Sequence, residues 1–171
     1  HCFEGQYFTE FSAARHVQRL DLPRDLPRLG GMDWGYAQPG VHLWAVALPD
    51  GGLHLEAETV FRQQTPPEVA RLLVAETRTR GIALAVTYGD PAMWIRTGQI
   101  GESIAETLLA LGVPLQRAHH ERVNGWQRLR AWLRPAPTGD RPLLTIDPAC
   151  AYLLRTLPAL VHDAHRLEDL R

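Results

Sequence analysis

The alternation of apolar and polar positions divides the chain into short strands and amphipathic helices. Residues 29–34 form a short buried-type run ending at Asp33, and residues 41–48 form a second; both read as strands. Pro49-Asp50-Gly51-Gly52 then supplies the residues of a tight turn. In residues 53–61, Leu53, Leu55, Ala57, Thr59 and Phe61 share one side and His54, Glu56 and Glu58 the other, which predicts a half-buried strand. The domain therefore opens with a meander of three antiparallel strands. Thr65-Pro66-Pro67-Glu68 carries the residues of a capping box, and the helix it starts runs to about Arg80, with Val69, Leu72 and Leu73 on its apolar stripe and Gly81 as its stop. Residues 82–87 are mostly apolar, the pattern of a strand covered on both faces, and lead into Gly89-Asp90-Pro91. A helix over residues 101–111 (Ile104, Leu108, Leu111), a short strand over 113–117, a helix over 122–133, a brief apolar segment at 143–146 and a last helix over 150–157 complete the order. A meander followed by strand–helix crossovers predicts an α/β fold with a mixed, largely five-stranded sheet flanked by helices.

The first 28 residues stand apart. Phe3, Tyr7, Phe8 and Phe11 have near-helical spacing, but Pro23 and Pro27 mark an extended arm. Residues 1–28 are accordingly expected to be a connection and entry arm, and residues 29–171 a single domain. The 171 residues suffice for one compact core, and no apolar run approaches the ~20 residues that span a bilayer. The chain begins His1-Cys2-Phe3 with neither an initiator Met nor a signal-peptide pattern, which suggests a fragment of an intracellular protein. Two distant cysteines, Cys2 and Cys150, make neither a disulfide framework nor a paired-ligand zinc site. A net charge of −1 does not announce a nucleic-acid binder, yet all 18 basic side chains are Arg, suited to bidentate phosphate contacts and also expected from a GC-rich genome.

Asp33 and Asp90 carry the candidate chemistry. Each ends a predicted strand, the first and the fourth, and is followed by loop-forming residues. In a mixed sheet those two ends can lie side by side, converging two carboxylates on one edge. Hard divalent cations such as Mg²⁺ and Mn²⁺ prefer oxygen sites of this kind, and two ions about 3.5–4 Å apart would serve phosphodiester hydrolysis. An Asp at a strand end is also an ordinary turn or cap residue. No Gly-Lys-Ser/Thr phosphate loop is present, and His119, His120, His162 and His165 match no metal-ligand pattern.

Several stretches, in order, resemble the nuclease domain of phage large terminase subunits: Gln6-Tyr7-Phe8, Gly31-Met32-Asp33-Trp34-Gly35-Tyr36-Ala37, Asp90-Pro91-Ala92-Met93-Trp94, Gly101-Glu102-Ser103-Ile104, Arg122-Val123-Asn124-Gly125-Trp126 and Arg155-Thr156-Leu157-Pro158. The resemblance implies a ribonuclease H-like fold and metal-dependent endonuclease activity with little sequence preference, cutting concatemeric double-stranded DNA during genome packaging. It implies Asp33 and Asp90 as catalytic metal ligands, with Mg²⁺ or Mn²⁺, two ions in the complete site. It also implies an ATPase domain before residue 1, a portal and small terminase subunit as motor partners, and action in the host cytoplasm, not in the membrane or the mature virion. The family's third carboxylate lies in an Asp-His pair shortly after a Glu-Asp stretch like Glu168-Asp169. It is therefore expected beyond Arg171, with Asp163 and Asp169 the nearest substitutes.

Arg96, Arg117, Arg122 and Arg128 are the expected DNA contacts, gripping backbone without reading bases, with Arg130 and Arg134 in the same cluster. The five tryptophans more often pack than stack on bases. Rival readings are a non-catalytic DNA-binding or portal-docking module, and another ribonuclease H-like nuclease such as a Holliday-junction resolvase.

Overall fold

The computed structural model describes residues 6–96, 101–119, 121–135 and 141–163. Six strands form one mixed sheet in the order β5-β4-β1-β2-β3-β6: β1 Arg28–Asp33, β2 Gly40–Ala47, β3 Leu53–Phe61, β4 Leu84–Gly89, β5 Leu115–Arg117 and β6 Leu144–Ile146. The helices are α1 Ala13–His16, α2 Pro66–Arg80, α3 Ile104–Ala110, α4 Arg122–Leu133 and α5 Ala151–Thr156. The sixth strand is the apolar segment near residue 144, which pairs in parallel with β3 through Leu53↔Leu144 and Leu55↔Ile146. No helix among the described residues is long and apolar enough to cross a membrane.

The chain divides into two compact units. The first comprises the described residues of 1–21, 47–57 and 121–171. Tyr7, Phe8, Leu133, Ile146 and Cys150 are fully buried there. Within this unit the arm is ordered by its own contacts: Tyr7 N donates to Leu160 O at 2.8 Å, and Gln18 N to Ile146 O at 3.0 Å. His16 is fully buried and shares a hydrogen bond with the Leu133 carbonyl at 2.8 Å. His54 departs from the alternation expected of its strand. It is buried because the β6 neighbour in register with it is Thr145, whose hydroxyl lies 2.8 Å from His54 Nδ1. A polar partner lets an imidazole sit inside at modest cost.

The second unit comprises residues 22–46 and 58–120, less those outside the described set. Its α2 starts as expected, with Glu68 accepting from Thr65 N and Oγ1, both at 2.7 Å, and ends at Gly81, whose φ of 61° is the left-handed conformation glycine favours. Ser103 and Glu106 form a second capping box at the start of α3. The strands β1, β2 and β4 present Met32, His42, Trp44 and Thr87 on one buried face. Val69, Leu73 and Leu108 from α2 and α3 are likewise buried. The other face is less covered: Tyr88 on β4 is 45% exposed, so β4 is not the doubly buried strand its composition predicts. Periodicity reports a strand's apolar content, not how many layers cover it.

One crossing contact organises the middle of these strands. His42 Nε2 lies 3.0 Å from Thr87 Oγ1, although β1 runs between β2 and β4. Gly30 is the reason: a Cβ there would meet the Thr87 hydroxyl and come within 2.7 Å of His42 Nε2.

Candidate active site

β1 and β4 run parallel, with Met32 opposite Gly89, so Asp33 and Asp90 leave neighbouring strand ends at the same edge. β1 holds its place between β2, where Asp33 faces Val41, and β4, where Asp90 N donates to Met32 O at 3.2 Å. After β4 the chain turns at once into a 3-10 turn, Pro91–Trp94. Asp90 fixes that turn, accepting from Ala92 N at 2.6 Å, while Met93 N donates to Asp90 O at 3.0 Å. Asp90 is thus a turn cap and a site candidate at once. The same bond that stabilises the turn orients its carboxylate.

Asp33, Trp34, Asp90, Ala92, Met93 and Ile104 line a pocket of about 130 Å³. Met93 is buried beneath it and Asp90 is half-buried, while Asp33 keeps much of its surface open to solvent. Partial desolvation pushes the Asp33 carboxyl above its ordinary value, and the neighbouring Asp90 carboxylate adds to the rise. A backbone hydrogen bond from Trp34 opposes both. The pocket therefore holds two acids that repel one another, a deficit of positive charge. Among the described residues no group of three His, Cys, Asp or Glu side chains could hold a metal ion. Asp169 lies outside the described residues, and Asp163 does not line this pocket. A larger groove of about 370 Å³, lined by Leu73, Val74, Thr77 and Leu84 among others, contains neither acid.

The expected arginines separate into groups. Arg96, just past the 3-10 turn, donates to the Glu106 carboxylate through Nε at 3.2 Å and through Nη2. Hydrogen bonding from Arg96 holds the Glu106 carboxyl down to about 2, aided by the Ser103 backbone and hydroxyl. Arg117 ends β5 opposite Gly89, with its guanidinium carbon 5.3 Å from the centroid of the Trp94 ring. Arg130 and Arg134, on and just past α4, donate to Glu10 at 3.1 and 3.2 Å and tie the N-terminal arm down within the first unit. Arg128 is exposed on α4, and the side chain of Arg122 lies outside the described residues. Sequence reasoning missed Glu106 as the partner of Arg96; the Ser103-x-x-Glu106 spacing was the signal for its capping role, but nothing local signals the ion pair.

No family model and no curated protein matches the chain. Solved structures do match. The nuclease domain of the P22 large terminase aligns over 98% of this chain and 84% of its own length, with a TM-score of 0.74 and 12% identity. The large terminase nuclease of thermophilic phage G20c aligns over 98% of this chain and 89% of its own, with a TM-score of 0.65 and 16% identity, and was also solved with bound cobalt. The nuclease domain of the bacteriophage SPP1 large terminase, solved with bound Mn, aligns over 85% of this chain and 77% of its own, with a TM-score of 0.58 and 14% identity. A full large terminase from a thermophilic bacteriophage aligns over 98% of this chain with a TM-score of 0.74 and 17% identity, and the chain spans only 41% of its length. The chain has the fold of large-terminase nuclease domains, a mixed six-stranded sheet with flanking helices, and its two sheet-edge acids lie within that fold.

Proposed function

We propose that this chain is the nuclease domain of a phage large terminase subunit, a metal-dependent endonuclease acting on double-stranded DNA. The observation that supports it best is the pair of carboxylates on adjacent ends of β1 and β4, in a fold shared with terminase nuclease domains. Asp33 and Asp90 are the proposed metal ligands. Their chemistry fits a hard divalent cation: both are oxygen donors, and their mutual repulsion is what a cation relieves. The bound cobalt and Mn of two structural neighbours point the same way, and Mg²⁺ or Mn²⁺, as two ions, is the proposed complement. Bound there, the metal would supply Lewis acidity and an activated water. The chain's own part is to hold two carboxylates in register: β1 and β4 fix their separation, and the Asp90–Ala92 bond fixes one carboxylate's direction. A third carboxylate beyond Arg171 would complete the donor set.

Arg96, Arg117, Arg122 and Arg128 are the proposed backbone contacts, which suits cutting without sequence preference. An ATPase domain on the same polypeptide, a portal and a small subunit are the proposed partners, and concatemeric DNA in the host cytoplasm the proposed substrate.

Two measurements test this. Mn²⁺ titrated into the chain should raise its melting temperature, and Asp33→Asn or Asp90→Asn should remove the rise. Supercoiled plasmid should be nicked with Mn²⁺, not with EDTA, and not by Asp33→Ala. A folded chain whose stability ignores Mn²⁺ and that leaves plasmid intact would sink the catalytic reading. If the same chain still bound DNA, the non-catalytic module would replace it.

A further inference from the structure

The two arginines nearest the carboxylate pair are held in opposite ways. Arg96 has its donors turned into the Glu106 carboxylate, so its charge is matched and its hydrogen-bonding edge is occupied. Arg117 is held by its face. Its guanidinium lies over the Trp94 ring, a contact that engages the π surface and leaves the in-plane N–H donors available. It is exposed, and among the described residues it makes no ion pair with a carboxylate.

Both members of that stack are anchored to the residue before Asp90. Arg117 is in register with Gly89, and the next residue, Ala118, donates its N–H to Gly89 O at 2.9 Å. The Trp94 ring passes so near Gly89 that a Cβ there would lie 3.6 Å from it, and 3.0 Å from Met93 Sδ. The absent side chain at position 89 is what lets the indole lie against the strand end. Trp94 itself belongs to the 3-10 turn that Asp90 caps. The strand that delivers the second acid thus also delivers a planar, charged fork with free edges beside it.

We infer that Arg117, laid flat over Trp94, is the arginine that grips a backbone phosphate of the nucleic-acid substrate beside Asp90, and that Trp94 is the residue that positions it. The inference rests on the proposed nuclease reading and selects one of its four arginines. A guanidinium with its face already packed has fewer orientations to lose when its edge takes a phosphate, and its fork matches two phosphate oxygens. Arg96 would first have to leave Glu106.

The test is binding of a fluorescein-labelled DNA duplex by the 171-residue chain in EDTA, by anisotropy over a range of salt concentrations, with each variant's melting temperature recorded. Arg117→Gln should weaken binding about tenfold and lower the log–log salt slope by about 1, the signature of one lost phosphate contact. Arg96→Gln should stay within about twofold, because Glu106 already neutralises that charge. Trp94→Leu keeps the charge, so the slope should hold while affinity falls about threefold through the freed guanidinium, and Trp94→Phe should recover most of it. A folded Arg117→Gln chain that binds like wild type with an unchanged slope would overturn the inference, as would a larger loss from Arg96→Gln. A wild-type chain that neither binds duplex nor nicks plasmid would sink the nuclease reading together with this one. Binding and metal-dependent nicking that survive Arg117→Gln intact would sink this one alone.

Discussion

Gly30 and Asp33 lie three residues apart on β1, and their surroundings treat polar atoms in opposite ways. Around Gly30, His42 and Thr87 satisfy one another across a missing side chain, well inside the sheet. Burial, together with the nearby Arg80 charge, pushes the His42 imidazole down to about 3, so it is held neutral. Around Asp33 two carboxylates face each other at the rim with no cation among the described side chains of their pocket. The middle of the strand is settled within the chain and the end is not. Electrostatic conflict of this kind is a mark of a functional site, because a chain selected for stability alone would relieve it.

The comparison can be broken at either place. The largest effect is expected in the middle. Gly30→Ala should cost about 3 kcal/mol in urea unfolding, because the new methyl overlaps the Thr87 hydroxyl and His42 and would leave both unsatisfied. Next is the pH dependence. The unfolded chain protonates His42 near 6.5 and the folded chain only near 3, so between those values the unfolded state binds more protons. Stability should be full above about pH 6.5 and fall as pH drops toward 3, with His54, also depressed by burial, adding in the same direction. Replacing His42 with Gln should flatten that slope in acid unfolding series.

At the rim the sign reverses. Asp33→Asn should leave the metal-free chain as stable or more so, raising its melting temperature by about 1–2 °C after allowing for solvent screening of an exposed group, while abolishing nicking. The Asp33 carboxyl is raised, so its penalty is absent below about pH 4 and grows as pH climbs through the folded value. A loss of stability in Asp33→Asn would show that the acid is structural. The smallest effect belongs to Arg96→Gln, which removes an exposed ion pair and should change stability by less than about 0.5 kcal/mol.

The three-strand meander, α2 with its capping box, and the two strand-end acids were all legible, because each is written in local pattern: alternation, Thr65-x-x-Glu68, a charged residue closing an apolar run. β6 was not legible as a sheet member. Its three residues gain strand character only from β3, nearly a hundred positions earlier in the chain, and no local signal names that partner. The burial of His54 was hidden for the same reason, since Thr145 supplies its partner. Among the arginines, sequence marked the cluster but not its division. Whether an Arg faces Glu10, Glu106 or an indole is a matter of tertiary neighbours, and all of them look alike in composition.

The parallel register of β1 and β4 also sets when the acids can meet. The β1–β2 meander is a local structure, but β4 reaches β1 only after α2 has formed and crossed over. Distant pairings of this kind form late in folding. A nascent or partly folded chain would therefore carry Asp33 and Asp90 apart, and the order of assembly would itself protect host and viral DNA from a half-made nuclease.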